Sequence, residues 1–526
     1  MQKLQILDCT LRDGGYVNDW LFGESTIKGV IKNLGNAKID IVECGFIRGE
    51  QYSKDSSVFS SMKQLEMMIA PKIDGMKYAA MIEHHNHVDD LIPDYDGNGV
   101  DIIRLTFRKN EWKDAKGVCK KLIQKGYKVC VQPVGTSTYD DASLLNLLMD
   151  VNEINPYAFY LVDTLGVMYT HEIRRFFYLI DNNLSKNIKL GFHSHNNLQM
   201  SFANTQEIIR LANKRDIIVD SSCYGMGRGV GNLATELIAD YINCNIEPRY
   251  SLVPLLNIVD KYLMPIYSNH RWGYDLPYFL SAISKCHPNY ASYLIKKETL
   301  DIESIEKILS LIPIEDRSEF NYKLIENLYL TLQTYEVNDG NSFKKLIEIL
   351  SGRNILLLGS GSSIELYSDL INEYITENKP YIISINYIDK KFNSDAMFIS
   401  NEKRLSLLDN AQENLPEVFF TSNLKNKIKR DALMFNYTSF LGEGDENDNA
   451  GAMIIKILRK ANVKKIYIAG FDGFDVDATL NYYDTRYSKL MDYDTVQKKN
   501  NDISKQLKMA LAGIDYSFIT RTKYEI

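Results

Sequence analysis

The segment Ile188-Lys-Leu-Gly-Phe-His-Ser-His195 joins a short apolar run to two histidines that are two residues apart. In an extended strand, residues i and i+2 point to the same side. The segment is therefore predicted to be a buried strand with two imidazoles on one side of its carboxyl end. It is one of a series of similar runs along the first half of the chain.

Eight short and nearly continuous apolar runs recur through residue 225, with amphipathic stretches such as Glu172–Leu184 and Thr205–Ala212 between them. Strands that alternate with helices, and that are apolar on both faces, are typical of a parallel (β/α)8 TIM barrel. The predicted strands are Leu4–Leu7, Ile39–Val42, Tyr78–Ile82, Ile102–Phe107, Val129–Val134, Phe159–Val162, Ile188–Phe192 and Ile217–Val219.

Polar residues follow the carboxyl ends of these runs, which is where a (β/α)8 barrel has its active site. Asp13 follows the first run, and His193 and His195 follow the seventh. In a closed barrel only the eighth strand separates these two, so the three side chains are predicted to hold one divalent cation. Two imidazoles and a carboxylate leave positions open for substrate oxygens. We expect Mn²⁺ or Mg²⁺, with Zn²⁺ as the alternative.

The composition excludes several other classes of protein. The chain has 526 residues, 45% of them hydrophobic, and a formal net charge of −7, which excludes a mainly disordered chain and argues against a nucleic-acid binder. We expect no membrane span and no secretory signal, since no long apolar run is present. Seven scattered cysteines without a CxxC pair favour free thiols in a reducing cytoplasm.

Five motifs in the first 245 residues, in this order, resemble those of the DRE-TIM metallolyase superfamily. This group includes 4-hydroxy-2-oxovalerate aldolase and the pyruvate carboxyltransferase-type domain, and the aldolase-like branch is the more similar one. The motifs are Asp8-Cys-Thr-Leu-Arg-Asp-Gly14, Ile41-Val-Glu43, Asp163-Thr-Leu-Gly166, His193-Ser-His-Asn196 and Gly225-Met-Gly-Arg-Gly-Val-Gly-Asn232.

The resemblance implies an enzyme that breaks or forms a carbon–carbon bond through a pyruvate-type enolate. It assigns the divalent metal to Asp13, His193 and His195, with Asn232 at or near the metal. The cation would polarise the 2-oxo acid.

The resemblance also assigns roles around the metal. Arg12 would stabilise the enolate oxygen. Glu43 and Asp163 would orient water or ligands.

One position departs from the aldolase pattern. Those aldolases have a histidine base three residues after the motif aspartate, where this chain has Tyr16. A tyrosine is a poor base unless its surroundings change its pKa. Tyr16 therefore either acts with a neighbour or packs against the substrate, and Glu83, His84 and His85 are alternative bases.

Two further regions follow the barrel, which we assign to residues 1–245. Residues 246–345 have helical spacing and resemble the helical appendix of the aldolase branch, in which a tyrosine reaches the active site. Tyr290 or Tyr293 is the candidate here, with a packed aromatic as the alternative. Residues 350–526 are predicted to form a Rossmann-like α/β domain.

In that last domain, Gly359-Ser-Gly-Ser-Ser363 follows a predicted strand and precedes a helix, which predicts an anion site. Gly359, Gly361, Ser362 and Asn386 are the candidate cofactor-binding residues. Short motifs faintly resemble CMP-sialic-acid-dependent sialyltransferases and pterin-pyrophosphokinase-like sheets, which implies a nucleotide or nucleotide-sugar ligand. The alternative is a domain that only supports assembly.

The sequence thus favours a metal-dependent aldolase or lyase acting on a 4-hydroxy-2-oxo acid and an aldehyde, in bacterial glycan precursor metabolism. An acyl-CoA-dependent Claisen-type condensing enzyme is one alternative. A nucleotide-sugar binding or glycosyl-transfer protein is another. The resemblance is also compatible with a homodimer.

Overall fold

The computed structural model divides the chain into two compact units. The first comprises Met1–Ala291 with Pro313–Phe320, and the second comprises Ser292–Ile312 with Asn321–Ile526. The predicted boundaries near residues 245 and 345 stay predictions. The structure describes residues 3–49, 53–212, 214–317, 319–335, 337–389, 391–406, 416–444, 446–484 and 491–526.

The first unit is a closed barrel of eight parallel strands, as the sequence predicted. The strand order is β1-β9-β8-β7-β6-β5-β4-β2, and pairing of β1 with β2 closes it, while the short β3 extends the end of β2. The strands are β1 (Leu4–Asp8), β2 (Ile41–Ile47), β3 (Val58–Phe59), β4 (Lys77–Glu83), β5 (Ile102–Phe107), β6 (Lys128–Pro133), β7 (Ala158–Asp163), β8 (Lys189–Ser194) and β9 (Ile217–Ser221).

Helices cover the outer face of the barrel strands, and the main apolar core lies between the two layers. The helices from the start of the chain through residue 296 are α1 (Glu24–Asn36), α2 (Met62–Ile69), α3 (Trp112–Gln124), α4 (Asp141–Ile154), α5 (Thr170–Asn183), α6 (Ser201–Leu211), α7 (Thr235–Asn245), α8 (Leu252–Ile258), α9 (Met264–Asn269), α10 (Leu276–Ile283) and α11 (Pro288–Lys296).

The inside of the barrel is a separate, smaller core. Its apolar members include Ile41, Ile102, Ala158 and Ile218, one from each of four strands. Since side chains alternate across a strand, the residue two positions further along each strand also points inward. Those residues are Glu43, Arg104, Tyr160 and Asp220. Three of them are charged, so charged side chains form the next layer of the barrel interior, beside the apolar layer.

The second unit contains a parallel seven-stranded sheet with apolar clusters on both faces. Its order is β14-β13-β12-β11-β10-β15-β16, so the direction of strand succession reverses between β10 and β15. The strands are β10 (Asn354–Leu358), β11 (Tyr381–Ile385), β12 (Ala396–Ile399), β13 (Glu417–Thr421), β14 (Leu433–Phe435), β15 (Lys465–Ala469) and β16 (Tyr516–Phe518).

The helices that follow residue 296 belong to the second unit. They are α12 (Ile302–Ser310), α13 (Tyr322–Gln333), α14 (Gly340–Leu350), α15 (Ser363–Leu366), α16 (Ser368–Asn378), α17 (Glu402–Ser406), α18 (Ala450–Lys460) and α19 (Tyr493–Leu511). Among the described residues, no helix is both long and apolar enough to span a membrane. All seven cysteines are free thiols, and six of them are buried.

A glycine on β8 makes room for a large side chain inside the barrel. A Cβ atom at Gly191 would lie 2.3 Å from the Tyr160 ring. By contrast, a Cβ atom at the exposed Gly117 in the middle of α3 would meet nothing within 4 Å. The two glycines therefore provide opposite tests of barrel packing.

We predict that Gly191→Ala lowers the free energy of unfolding of the barrel by about 1–3 kcal/mol, because the methyl group overpacks a filled interior. Gly117→Ala should raise it by about 0.5–1 kcal/mol, because alanine is the better helix former. All three tryptophans (Trp20, Trp112 and Trp272) lie in the first unit, so urea unfolding followed by tryptophan fluorescence reports on the barrel. Equal effects of the two substitutions would contradict this packing.

Candidate metal centre

Three predicted ligands meet at the carboxyl end of the barrel. Ligand atoms of Asp13, His193 and His195 all lie within 4.8 Å of one another, and all three residues are buried. The Asp13 Oδ2 atom lies 3.9 Å from His195 Nδ1, and the two imidazole planes are nearly perpendicular, at 88°. The structure thus brings together the residues that strand phasing predicted.

Buried polar atoms without partners support a cation at this position. Neither His195 Nδ1 nor Asn232 Oδ1 has a hydrogen-bond partner among the described residues, although both atoms are buried. An unsatisfied buried acceptor costs free energy, and a bound cation would remove that cost. Burial lowers the pKa of His195 to about 4, so its imidazole is neutral at physiological pH, as a metal ligand must be.

Asn232 is held against Asp13, a predicted metal ligand, by the glycine-rich loop. Its Nδ2 group donates to Asp13 Oδ2 and to the Met226 carbonyl. A Cβ atom at Gly227 would lie 2.2 Å from that nitrogen and 2.9 Å from Asp13 Oδ2, so only glycine fits there. The loop therefore packs directly on the predicted site, with the Asn232 amide oxygen still available.

Arg12 lies beside the three predicted ligands and is buried. Its Nη1 group donates to Asp13, and its Nε group donates to Glu43 Oε2 at 2.9 Å. Burial alone would raise the pKa of Asp13, but Arg12 and the two histidines outweigh it and hold that pKa well below its ordinary value. Asp13 is thus an ionised carboxylate, as a predicted metal ligand should be, and the Arg12 Nη2 group makes no hydrogen bond to any described residue.

A buried arginine that sequence reasoning missed extends this pairing across the barrel. Arg104 donates through Nη1 to Glu43 and through Nη2 to Asp220. Asp220 Oδ2 lies 3.0 Å from His193 Nδ1, which leaves the other nitrogen of His193 for a cation. Burial disfavours the charge on Asp220, yet Arg104 and His193 together lower its pKa.

The result is a charge ladder, by which we mean the series Asp13, Arg12, Glu43, Arg104 and Asp220. Its members alternate in sign and lead from one predicted metal ligand to the partner of another. Three carboxylates and two guanidiniums leave one formal negative charge. A divalent cation would reverse it to one positive charge, which the carboxylate of a 2-oxo acid would neutralise.

The remaining predicted barrel residues have other surroundings. Asp163 accepts hydrogen bonds from the backbone N–H groups of Val167 and Met168, and burial raises its pKa to about 6. The Asp163 carbonyl accepts from the His195 N–H at 3.3 Å, so Asp163 fixes the loop that follows the seventh barrel strand. Its predicted role in orienting water or ligands stays a prediction.

Tyr16 lies at the rim of the site. Its ring packs edge-on against Trp20 and Phe46, and the guanidinium carbon of Arg228 lies 5.7 Å from its centroid. Withdrawal of the hydroxyl from water and the nearby Asp13 carboxylate raise the pKa of Tyr16. The hydroxyl is therefore protonated at neutral pH, which favours a donor over a general base.

The alternative bases lie on the same side of the barrel. Glu83 accepts from Arg48 Nε at 2.8 Å and from Asn86 Nδ2 at 3.0 Å. His84 is buried, and its Nδ1 atom has no partner among the described residues, whereas His85 is exposed. Of the two histidines, His84 is the buried one, and its unpartnered ring nitrogen makes it a candidate base.

The two predicted tyrosines of the helical appendix have other contacts. The Tyr290 hydroxyl donates to the backbone carbonyls of Asp316 and Glu319, and its ring packs on Phe320. Tyr293 belongs to the second unit, where its ring contacts Tyr322 and Tyr329. The described contacts of both residues match the packed-aromatic alternative.

Comparison with known proteins agrees with this geometry. Residues 103–258 match the family model described as HMGL-like. The barrel is an HMGL-like domain, of the DRE-TIM type. The match begins inside β5 and includes His193, His195 and Asn232.

Three curated relatives cover about half of this chain. Each is similar to it at 25–28% identity, and with the family match they identify an enzyme of the metal-dependent carbon–carbon lyase class. They are oxaloacetate decarboxylase of Mycobacterium tuberculosis (25% over 247 residues, 44% of this chain and 68% of that protein), 4-hydroxy-2-oxovalerate aldolase 2 of Salinispora arenicola (28% over 269 residues, 49% and 74%) and 4-hydroxy-2-oxovalerate aldolase 6 of Rhodococcus jostii (25% over 276 residues, 51% and 75%).

We predict that Asp13→Ala and His193→Ala in the HMGL-like domain each weaken Mn²⁺ binding by more than about 100-fold, because each removes a ligand. Asp220→Asn should weaken it by about 10–100-fold, because only the orientation of His193 is lost. Isothermal titration of the metal-stripped protein with MnCl₂ measures both effects. His171→Ala, at an exposed histidine, is the control, and wild-type affinity in the Asp13 and His193 variants would contradict the site.

Proposed function

We propose that the HMGL-like barrel cleaves or forms the carbon–carbon bond of a 4-hydroxy-2-oxo acid through a pyruvate-type enolate. The observation that supports this most directly is Arg12, whose guanidinium is buried beside the Asp13, His193 and His195 cluster. Named relatives that are aldolases of 4-hydroxy-2-oxovalerate agree with it. The second partner in the reaction is an aldehyde.

The three predicted ligands would hold a divalent cation, which supplies Lewis-acid polarisation of the 2-oxo group when bound. Arg12 is fixed on two sides, by Asp13 and by Glu43. Its Nη2 group can therefore donate to a substrate oxygen without a change in the position of the side chain. A fixed positive charge next to a developing enolate oxygen stabilises the transition state more than the ground state. Burial of Arg12 strengthens that effect because water is excluded.

Cleavage requires a group that takes the proton from the 4-hydroxyl and a group that returns a proton to the enolate carbon. Tyr16, whose raised pKa keeps its hydroxyl protonated, is suited to donate a hydrogen bond at the rim. His84 Nδ1 is an available acceptor on the same side of the barrel. We propose that Tyr16 positions the substrate hydroxyl and that His84 is the first base to test.

We predict that the Mn²⁺-loaded enzyme releases pyruvate from 4-hydroxy-2-oxopentanoate and that chelation of the metal abolishes this release. Arg12→Lys should lower kcat by about 10²–10³, because a point charge does not reproduce the fixed guanidinium donors. Arg175→Lys, at an exposed arginine of α5, is the matched control. Coupling to lactate dehydrogenase measures the pyruvate.

Two results would contradict the proposal. Full turnover by metal-stripped enzyme would exclude the metal-dependent mechanism. Release of free thiol from acetyl-CoA, without pyruvate release from the hydroxy acid, would favour the Claisen-type alternative instead.

We propose a second function for the second unit, in which a cleft lies at the carboxyl ends of its strands. Gly359, Gly361 and Asn386 line it, and so does Gly470 after β15. Ligands of open α/β sheets bind where the strand order reverses, which here is between β10 and β15. The cleft contains about 1000 Å³ of empty space, counting its open mouth.

Several donors of the predicted anion site at the glycine turn have partners within the protein. The N–H groups of Gly359 and Gly361 donate to the carbonyls of Ala469 and Gly470, and the Ser363 N–H donates to Asp472 at 2.7 Å. The Ser362 hydroxyl donates to the Leu480 carbonyl at 2.8 Å. These donors are already used within the protein, whereas the backbone N–H groups of Ser360 and Ser362 make no hydrogen bond to a described residue. An anion at this turn stays a prediction that depends on those two groups.

The side chains of the cleft offer other contacts to a nucleotide-type ligand. Arg404 lies 5.0 Å from the ring centroid of Tyr482, and Lys499 lies 4.8 Å from that of Phe474. Aromatic faces suit a base or sugar ring, and the arginine suits a phosphate. We therefore propose that these side chains, together with the glycine turn, bind a nucleotide or nucleotide sugar here.

We predict that a CMP-, CDP- or UDP-linked sugar slows amide hydrogen exchange in peptides covering 359–363 and 470–474. A ligand at about 100 times its Kd should also stabilise the unit by about 2.7 kcal/mol. The unmodified sugars alone are the control for the nucleotide part. Unchanged exchange with every nucleotide, or protection confined to other peptides, would contradict this function.

A further inference from the structure

Arg228 provides a second positive charge at the metal centre that the proposed reaction does not use. It follows Gly227, whose backbone packs against Asp13 and Asn232 so closely that no side chain fits. Arg228 is therefore anchored one residue from direct contact with a predicted metal ligand. Its side chain is only partly buried, so it faces the open side of the site.

The guanidinium of Arg228 is held in place without being neutralised. Its carbon lies 5.7 Å from the centroid of the Tyr16 ring, and its Nη2 group contacts His287 Nε2. Burial and the neighbouring Arg228 lower the pKa of His287 to about 3, so the imidazole is uncharged. Among the residues that the structure describes, no carboxylate lies within ion-pair distance of this guanidinium.

Other arginines of the site differ from Arg228 in this respect. Arg12 and Arg104 are both paired with carboxylates of the charge ladder. A partly desolvated cation with no counter-ion in the protein attracts an anion from outside it more strongly than a fully hydrated cation does. The position beside Tyr16 places that anion at the rim of the site.

We propose that Arg228 binds a second anionic group of the substrate, located on its aldehyde half, so that the enzyme prefers aldehydes with a carboxylate or phosphate. This inference depends on the proposed aldolase function, since it assigns the substrate class of the same site. The net charge of the site is consistent with this assignment. The 2-oxo acid carboxylate already neutralises the metal-loaded charge ladder, so Arg228 remains for a further negative group.

A guanidinium selects such a group by geometry as well as by charge. Its planar fork can donate two parallel hydrogen bonds to a carboxylate or to a phosphate. Tyr16 and His287 restrict the fork on two sides, which fixes the distance between the second anion and the reacting carbons. Arg228 is thus a specificity-determining residue, and its loss should affect KM for anionic aldehydes more than kcat.

The test compares aldol addition of pyruvate to three aldehydes by the Mn²⁺-loaded full chain. Butanal is neutral, succinic semialdehyde has a carboxylate, and glyceraldehyde 3-phosphate has a phosphate. We expect wild-type kcat/KM to be at least about tenfold higher for one or both anionic aldehydes than for butanal. The aldehyde that shows the larger ratio identifies the group. A wild-type enzyme that prefers butanal to both would overturn the proposal without any variant.

Arg228→Met should lower that ratio by about 10–1000-fold, mainly through KM, because it removes the charge and keeps much of the side-chain length. Arg228→Lys should lower it less, because the charge remains while the fork is lost. Arg175→Met is the matched control and should leave the ratio unchanged. A ratio that Arg228→Met leaves at the wild-type value would overturn the proposal.

Exchange of the pyruvate methyl protons with D₂O, followed by NMR, separates this inference from the proposed function. The exchange needs enolate formation but no aldehyde. If the wild-type enzyme does not catalyse it and does not cleave the hydroxy acid, the proposed function is wrong and the Arg228 assignment is wrong with it. If it does catalyse it and the ratio is insensitive to Arg228, only the assignment is wrong.

Discussion

Arg104 is a fully buried guanidinium that joins two carboxylates inside the barrel, and the arrangement of the metal centre depends on this contact. Glu43 on β2 and Asp220 on β9 both accept from it. Without Arg104 the two carboxylates would be buried near each other with no counter-charge on that side. Removal of one partner from a buried ion pair typically costs about 3–5 kcal/mol.

This contact matters for chemistry because both carboxylates have a second task. Glu43 also holds Arg12, which would face the enolate oxygen, and Asp220 orients His193, which would bind the cation. The electrophilic groups of the site are therefore positioned by one continuous charge ladder rather than by separate contacts. A change at Arg104 would be expected to affect the metal ligand and the arginine together, although Arg104 contacts neither substrate nor metal.

Much of this site could be predicted from the sequence, because strand phasing places i and i+2 on the same side. His193 and His195 follow that spacing, and Asp13 follows the first strand, so the amino-acid pattern alone predicts the cluster. Arg104 was missed, because a single arginine in the run Ile102–Phe107 resembles an outward-facing residue. The phase with Ile102, a member of the inner core, was the signal that could have revealed it.

Other predicted site residues have partners that are distant in sequence, and a local pattern does not reveal such partners. The glycine turn at 359–363 has the composition of an anion site, yet Ala469, Gly470 and Asp472 accept hydrogen bonds from three of its backbone N–H groups. No local pattern indicates that Asp472 lies there. The contacts of Tyr290 were equally hard to predict, because its hydroxyl partners are backbone carbonyls 26 and 29 residues away.

The most direct test of the charge ladder and its metal centre is anomalous diffraction from crystals grown with Mn²⁺ and oxalate, a mimic of the pyruvate enolate. We predict one strong peak at about 2.0–2.3 Å from an oxygen of Asp13 and from one ring nitrogen each of His193 and His195. Oxalate should lie within hydrogen-bond distance of Arg12. A barrel without a peak at these residues, or with oxalate bound away from Arg12, would contradict the proposed metal centre.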